Sequence, residues 1–258
     1  MNLSNTSSPI KLPRHDRTAW LKGGESLCQM PARIPNGKPL RLVLLGAPGV
    51  GKGTQAEMIH ERFGACQLST GDVFRDEKIS CEENLSVTGR AALDFMRRGA
   101  LVPDDTVLAI VTERIRCLRC SGGFLLDGFP RTVAQAEALE KLLQSENISL
   151  DAVINYDLPL EKIITRLSGR RTCAHCKAVY HLASQPSQRP GVCDGCGAKL
   201  IQREDDRPES VQVRMAAYEQ NTRPLIDFYA ERKLLRTVTA TGSPQEIFRR
   251  TCLGVLGV

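Results

Sequence analysis

Residues 41–54 read RLVLLGAPGVGKGT. An unbroken apolar run ends in a glycine-rich turn whose Gly46, Gly51 and Lys52 follow the spacing G-x-x-x-x-G-K. In that pattern backbone N–H groups cradle phosphates, the following helix adds its positive end, and the lysine reaches the outer phosphates. Ser or Thr normally follows the lysine at once and binds Mg²⁺ directly. Here Gly53 stands in that place and the hydroxyl comes one residue later, at Thr54.

The flanks fit a phosphate loop. LRLVLL has the continuous apolarity of a strand buried on both faces. GTQAEMIHERFG carries Ala56, Ile59 and Phe63 at helical spacing, and Gly64 supplies a stop signal. A short strand CQLS follows. Further strands are expected at FLLD (124–127), AVINYDL (152–158) and LLRTVTA (234–240), with helices DTVLAIVTERIRCL, TVAQAEALEKLLQ and LEKIITRLS between them. Strands alternating with helices predict an α/β fold, a parallel sheet with helices on both faces. Residues 70–99 and 170–206 break the rhythm and read as insertions at the mouth of the sheet, where such folds bind ligands.

Bulk properties set bounds. The chain has 258 residues, 41% hydrophobic and 25% charged, which suits one core with small insertions. No apolar run reaches the ~18 residues of a membrane span. The net charge of +6 suits a protein that handles polyphosphates and equally suits weak nucleic-acid binding. Residues 1–39 lack sustained periodicity and an apolar secretory core; they read as a disordered tail, with an organelle transit peptide or a start upstream of Met30 as alternatives.

Six of the ten cysteines form C-x-x-C pairs. Cys173, Cys176, Cys193 and Cys196 make C-x₂-C-x₁₆-C-x₂-C, the spacing of a closed, structural tetrahedral Zn²⁺ site. So short a segment lacks apolar material for its own core, and metal would replace it. His175 and His181 lie nearby but are not needed as ligands. Cys117 and Cys120 sit in a helical stretch and read as core or surface thiols, with a redox pair or a site shared with Cys66 or Cys81 as alternatives. His60 reads as an exposed helical residue.

Four more stretches carry a family likeness: STGDVFR (69–75), LLDGFPRT (125–132), GRRTC (169–173) and QREDDRPESVQVR (202–214). With GAPGVGKGT, they make the chain, over roughly residues 40–245, resemble the bacterial-type adenylate kinases with a zinc-bearing lid. In that family glycine follows the loop lysine, so Gly53 conforms to it, and the metal is held largely through water. The resemblance implies a P-loop kinase domain at 40–258 with a three-layer core, a helical AMP-binding insert at about 70–100 and a zinc lid at about 168–206. It implies the reaction Mg·ATP + AMP ⇌ Mg·ADP + ADP, serving adenine-nucleotide homeostasis.

Residue by residue, the resemblance assigns ATP contacts to Gly49, Val50, Gly51, Lys52, Gly53, Thr54, Arg166 and Arg170. It assigns the AMP phosphate to Arg75 and Arg131, and the transferring group to Lys52, Arg131, Arg170, Arg203 and Arg214. Arg203 and Arg214 also border the AMP side; Arg171 could share the role of Arg170. Arginine suits this work because its planar fork grips phosphate bidentately and stays charged. Thr70 and Gln135 match positions that touch adenine, and Ala100, Leu101, Val102 and Gly128 line the same pocket. Asp127, at the end of FLLD, reads either as a turn cap or as the carboxylate holding Mg²⁺-bound water; Asp72 could do similar work. TVAQ and DRPE also have capping-box spacing, which makes Asp206 a helix cap and gives Gln135 a structural alternative.

The partners implied are the small molecules ATP, AMP and ADP, with no nucleic acid and no membrane. A cytoplasmic monomer is the expectation. A zinc-ribbon nucleic-acid binder is the rival from another class, but it needs aromatic side chains among basic ones, and the lid offers Tyr180 alone. Retention of Lys52, Asp127 and the arginines argues against a silent scaffold; a kinase for another monophosphate is the nearest rival within the class, and Thr70 and Gln135 argue for AMP without proving it.

Overall fold

The computed structural model describes Trp20, residues 38–75 and residues 94–256. Strand β1 (Leu40–Leu45) leads through the glycine loop into α1 (Lys52–Phe63), then β2 (Cys66–Ser69) and the short α2 (Thr70–Arg75). After the insert come α3 (Asp104–Glu113), α4 (Ile115–Leu118), β3 (Gly123–Asp127), α5 (Val133–Ser145), β4 (Ala152–Asp157) and α6 (Leu160–Gly169). The lid carries β5 (Arg170–Cys173), β6 (Val179–His181) and β7 (Leu200–Ile201). The chain returns with α7 (Pro208–Ala217), α8 (Leu225–Glu231), β8 (Leu235–Thr239) and α9 (Pro244–Thr251).

Five strands form one sheet in the order β2-β3-β1-β4-β8, every pairing parallel. Side chains of a strand alternate between faces. Val43 and Leu45 accordingly join one core cluster with α3, α5 and α8, while Leu42 and Leu44 join a second with α1, α6 and α9. Both faces are covered, which is why β1 reads as an unbroken apolar run. The register sets Leu44 beside Asp127 and Asp127 beside Ser69, so the carboxyl ends of β1, β3 and β2 open on one edge. The glycine loop and α2 start there.

Local signals held at several ends. Gly64 stops α1 in the left-handed conformation at φ 77°, its N–H on the His60 carbonyl. Thr132 caps α5 by accepting from Gln135 N, and Ser243 with Glu246 makes a full capping box on α9. Other expectations are corrected. The helix expected across 105–118 breaks at Arg114, which turns inward, 6% exposed, and donates from Nε to the Trp20 carbonyl at 2.5 Å. His60 is buried, its Nδ1 donating to Ala65 O at 2.8 Å. Trp20, within the stretch expected to be a tail, is buried in the first core cluster.

The lid sheet is antiparallel, in the order β6-β5-β7. Its core is small: Cys173, Cys193 and Leu200, with Cys176, Ala178, Tyr180 and Ala198 against them. No helix among the described residues is long and apolar enough to cross a membrane.

Candidate active site

A cleft of about 1540 Å³ runs between the carboxyl edge of the large sheet and the lid. That exceeds the ~300–1,000 Å³ of most small-molecule pockets, so it has room for two ligands side by side. Gly49 through Thr54, Asp72, Asp127, Gly128 and Arg131 line its floor; Arg166, Arg170, Arg203 and Arg214 come from the lid side, and Ala100 and Leu101 from the end of the insert.

The loop's shape is enforced by its glycines. Gly46 has φ 131°, and a Cβ there would meet the Tyr156 carbonyl at 2.5 Å; Gly49 has φ 82° and lies against Leu167. Arg166 fastens the loop from the other side, donating to Val50 O at 3.0 Å and to Ala240 O at 2.9 Å. Lys52 folds back, its Nζ donating to Gly46 O at 2.7 Å and Ala47 O at 3.0 Å.

Burial in the cleft pushes the Lys52 ammonium down to about pKa 8; Asp127 opposes the shift, while Arg131, Arg214 and Arg170 add to it. Lys52 thus feels three guanidinium groups across the cleft, with Asp127 as the carboxylate that faces it. That arrangement is costly alone and favourable around a polyphosphate.

The lid-side arginines are organised by a residue the sequence reading assigned elsewhere. Asp206 is not a helix cap: Arg207 takes that position, and Asp206 lies in a single 3₁₀ turn, 2% exposed. Its carboxylate accepts from Arg170 Nε at 2.7 Å, from Arg170 Nη2, and from Arg214 Nη1 at 3.1 Å. Arg214 also reaches Asp205 Oδ2 at 3.1 Å. Arg203 is held by the Thr172 hydroxyl at 2.9 Å. Arg171 instead folds onto the carbonyls of Ser168 and Arg170.

A recess of about 20 Å³, room for one water, opens beside Arg131, lined by Thr70, Gly71, Met96, Leu101, Val102, Val107, Gly128 and Gln135. The Gly128 carbonyl accepts from both Thr70 Oγ1 and Arg131 Nε at 2.9 Å. Gly128 has φ 83°, and a Cβ there would crowd Thr70 Oγ1 at 3.0 Å. Gln135 is buried; its Oε1 accepts from Arg131 N at 2.8 Å and its Nε2 donates to Asp104 Oδ1 at 2.6 Å. Asp104 also takes the Thr132 hydroxyl at 2.8 Å. Asp104 carried no recognisable sequence signal for this role. Ser69 Oγ accepts from Asp72 N at 3.2 Å, which caps α2. Arg75 ends that helix, but its side chain lies outside the described residues, as does the loop around 76–89.

In the lid the four cysteine sulfurs lie within 4.8 Å of one another. Cys173 to Cys196 is 3.4 Å and Cys176 to Cys193 is 3.5 Å. A tetrahedron of ~2.3 Å Zn–S bonds needs edges of about 3.8 Å, so the donor set fits the ion. The two C-x-x-C turns are built alike. Cys173 N donates to Ala178 O at 2.9 Å and Cys193 N to Ala198 O at 2.8 Å; Lys177 N returns to Cys173 O and Gly197 N to Cys193 O. The Tyr180 hydroxyl, 3.4 Å from Cys193 Sγ, pulls that thiol down to about pKa 6. Outside the lid, Cys120 Sγ lies 2.9 Å from Cys66 Sγ, while Cys117 is buried in the core and Cys81 lies outside the described residues.

Comparison with known proteins agrees in one direction. Residues 44–234 match the family model described as adenylate kinase. An adenylate kinase of Thermodesulfovibrio yellowstonii is 47% identical over 213 residues, 83% of this chain and 97% of the relative. One of Carboxydothermus hydrogenoformans is 48% identical over 209 residues, 81% of this chain and 96% of the relative. One of Archaeoglobus fulgidus is 45% identical over 210 residues, 81% of this chain and 95% of the relative.

Proposed function

The chain belongs to the adenylate kinase family, and from that premise we propose which of its residues carry the reaction. It is a nucleoside monophosphate kinase that transfers a phosphoryl group from ATP to AMP. The observation that carries the residue assignment is the convergence of Lys52, Arg131, Arg170 and Arg214 on one cleft, with Asp127 opposite.

Phosphoryl transfer asks the protein for position, charge and dryness. The loop from Gly49 to Thr54 holds the donor's phosphates, with Arg166 and Arg170 on the lid side. Arg131 holds the acceptor phosphate, in the reading shared with Arg75. Lys52, Arg131, Arg170, Arg203 and Arg214 surround the group in flight, where fixed cations match the charge of the transition state. Asp206 keeps Arg170 and Arg214 aimed. The acceptor's base packs in the cleft against Thr70, Ala100, Leu101, Val102, Gly128 and Gln135. The Gln135 amide is clamped by Asp104 and the Arg131 backbone, and retains capacity for one more donated and one more accepted bond. Adenine asks for such a pair on its edge.

The Asp127 carboxylate is a hard oxygen donor suited to Mg²⁺ and its water. Mg²⁺ arriving with ATP supplies neutralisation of phosphate charge. The four lid thiols suit Zn²⁺, which gives the lid the core its residues cannot. We place the enzyme in the cytoplasm as a monomer, with residues 1–39 as an amino-terminal extension that carries the buried Trp20, an insert at about 70–100 and a lid at about 168–206; the +6 charge serves nucleotides rather than nucleic acid.

Purified protein is mixed with Mg·ATP and, separately, AMP, GMP, CMP and UMP, and diphosphates are followed by chromatography. Diphosphate formed with AMP alone is the expected result. Transfer to another base would move the acceptor assignment, and no transfer by zinc-loaded protein would end it.

A further inference from the structure

Trp20 stands before the stretch that matches the adenylate kinase family, which begins at residue 44. It is nonetheless 2% exposed and belongs to the core cluster that holds Leu68, Val73, Val102, Val107 and Val111. Its indole N–H and its main-chain carbonyl are both engaged. The indole Nε1 donates to Ser69 O at 2.9 Å, across 49 residues of sequence. Its carbonyl accepts from Arg114 Nε at 2.5 Å, across 94 residues.

These two partners adjoin two elements that supply the recess lining. Ser69 is the last residue of β2, the edge strand of the sheet, and it caps α2. Thr70 and Gly71, which follow it, form one wall of the recess. Arg114 terminates α3, which supplies Val107 to the recess and Asp104 to Gln135. Trp20 is therefore bonded through its indole to the residue before Thr70 and through its main-chain carbonyl to the end of α3. A large, buried aromatic whose indole N–H and main-chain carbonyl are paired is a rigid clip, because it holds its partners in one geometry at little rotamer cost.

We propose that Trp20 is a positioning residue for the AMP side of the site: bonded to Ser69 and to Arg114, it fixes the spacing between Thr70 and α3 and so sets the affinity for the acceptor nucleotide. This rests on the assignment of that side of the cleft to AMP. The residue touches no reacting atom; it acts through Ser69 and Arg114. Ground-state acceptor binding is the quantity it tunes, so its loss raises KM for AMP and leaves kcat and KM for Mg·ATP in place.

Trp20 is the sole tryptophan of the chain, so it reports on itself. In the full-length zinc-loaded protein, indole emission should be blue-shifted and weakly quenched by acrylamide, and should respond to AMP more than to Mg·ATP. Emission typical of a solvated indole would overturn the proposal. Trp20→Phe keeps the ring and removes the N–H donor. Loss of one such bond predicts a rise in KM for AMP of about 3–10-fold, with KM for Mg·ATP, kcat and zinc content unchanged. Unaltered KM for AMP, or a parallel rise in both KM values, would overturn it. A wild-type protein that makes no ADP from AMP would instead strike the functional assignment, and the quenching result would still stand on its own.

Discussion

A Cβ added at Gly53 would stand 3.7 Å from Asp127 Oδ2, at ordinary contact distance and with no strained φ to forbid it. The missing hydroxyl of the phosphate loop is thus left out where a cleft carboxylate faces the backbone. Nothing about the fold excludes a side chain there. Gly53→Ser should therefore fold at least as well as the parent, since glycine inside a helix costs about 0.5–1 kcal/mol relative to alanine. Its effect should fall on the Mg²⁺ dependence of kcat/KM for ATP, because a hydroxyl now competes with water beside Asp127. Thermal melting and a Mg²⁺ titration of the rate check the two halves. A variant that fails to fold would show that the contact is tighter than 3.7 Å implies.

Lys52 gives a pH dependence with a defined sign. In the nucleotide-free protein its ammonium is pushed down to about pKa 8 by burial. Phosphates bound against it favour the charged form and raise that pKa again. ATP affinity should then be level below pH 8 and fall as the pH rises through it, with protons taken up on binding. Calorimetry in buffers of different ionisation enthalpy measures that uptake, which Lys52→Met should abolish. The stability of the nucleotide-free protein runs the other way. Unfolded lysine holds its proton to about pH 10.5, so stability should rise between pH 8 and 10.5.

Asp206→Asn removes the charge that aims Arg170 and Arg214. Arg170 loses the counter-charge that holds it and Arg214 is left with Asp205, and misplacement of about 1 Å costs on the order of 10²-fold in rate. The expected result is a fall in kcat near that size, with zinc content retained. Steady-state kinetics and metal analysis decide it; an unchanged kcat would mean that other groups hold the arginines.

The lid predicts its own improvement. Lys177 has φ 61° at the position where the equivalent turn has Gly197 at φ 74°. A left-handed non-glycine residue costs about 1–2 kcal/mol, and glycine's extra freedom in the unfolded chain returns part of that. Lys177→Gly should raise the midpoint of lid melting, and Cys196→Ser or a strong chelator should lower it. Lysine at 177 lines the cleft, so kcat is the control.

Much of the site could be read from the chain because its parts are local. The loop, its flanking strand and helix, and the C-x₂-C pairs are set by spacing within a few residues, and both periodicities of β1 and α1 follow from burial on defined faces. What the sequence did not show was which partners hold side chains that are bonded across the fold. Asp206 looked like a cap because DRPE has capping spacing; its partner Arg170 lies 36 residues away. Gln135 kept half of its capping pattern: its backbone meets Thr132, but its side chain meets Arg131 and, 31 residues back, Asp104. His60 looked exposed from its polarity; its partner Ala65 O is local, but the burial of that face of α1 is set by the packing of the whole sheet.

The sequence alone determined the parallel α/β core, the phosphate loop with its lysine, the four-cysteine lid and the pool of arginines, because each rests on residue type at short spacing. The tertiary structure decided which arginines converge, which carboxylate aims them, and that a tryptophan from the amino-terminal stretch is built into the core beside the recess. Those outcomes depend on contacts closed across dozens of residues, where burial leaves a charge or an N–H only the partners that the fold supplies.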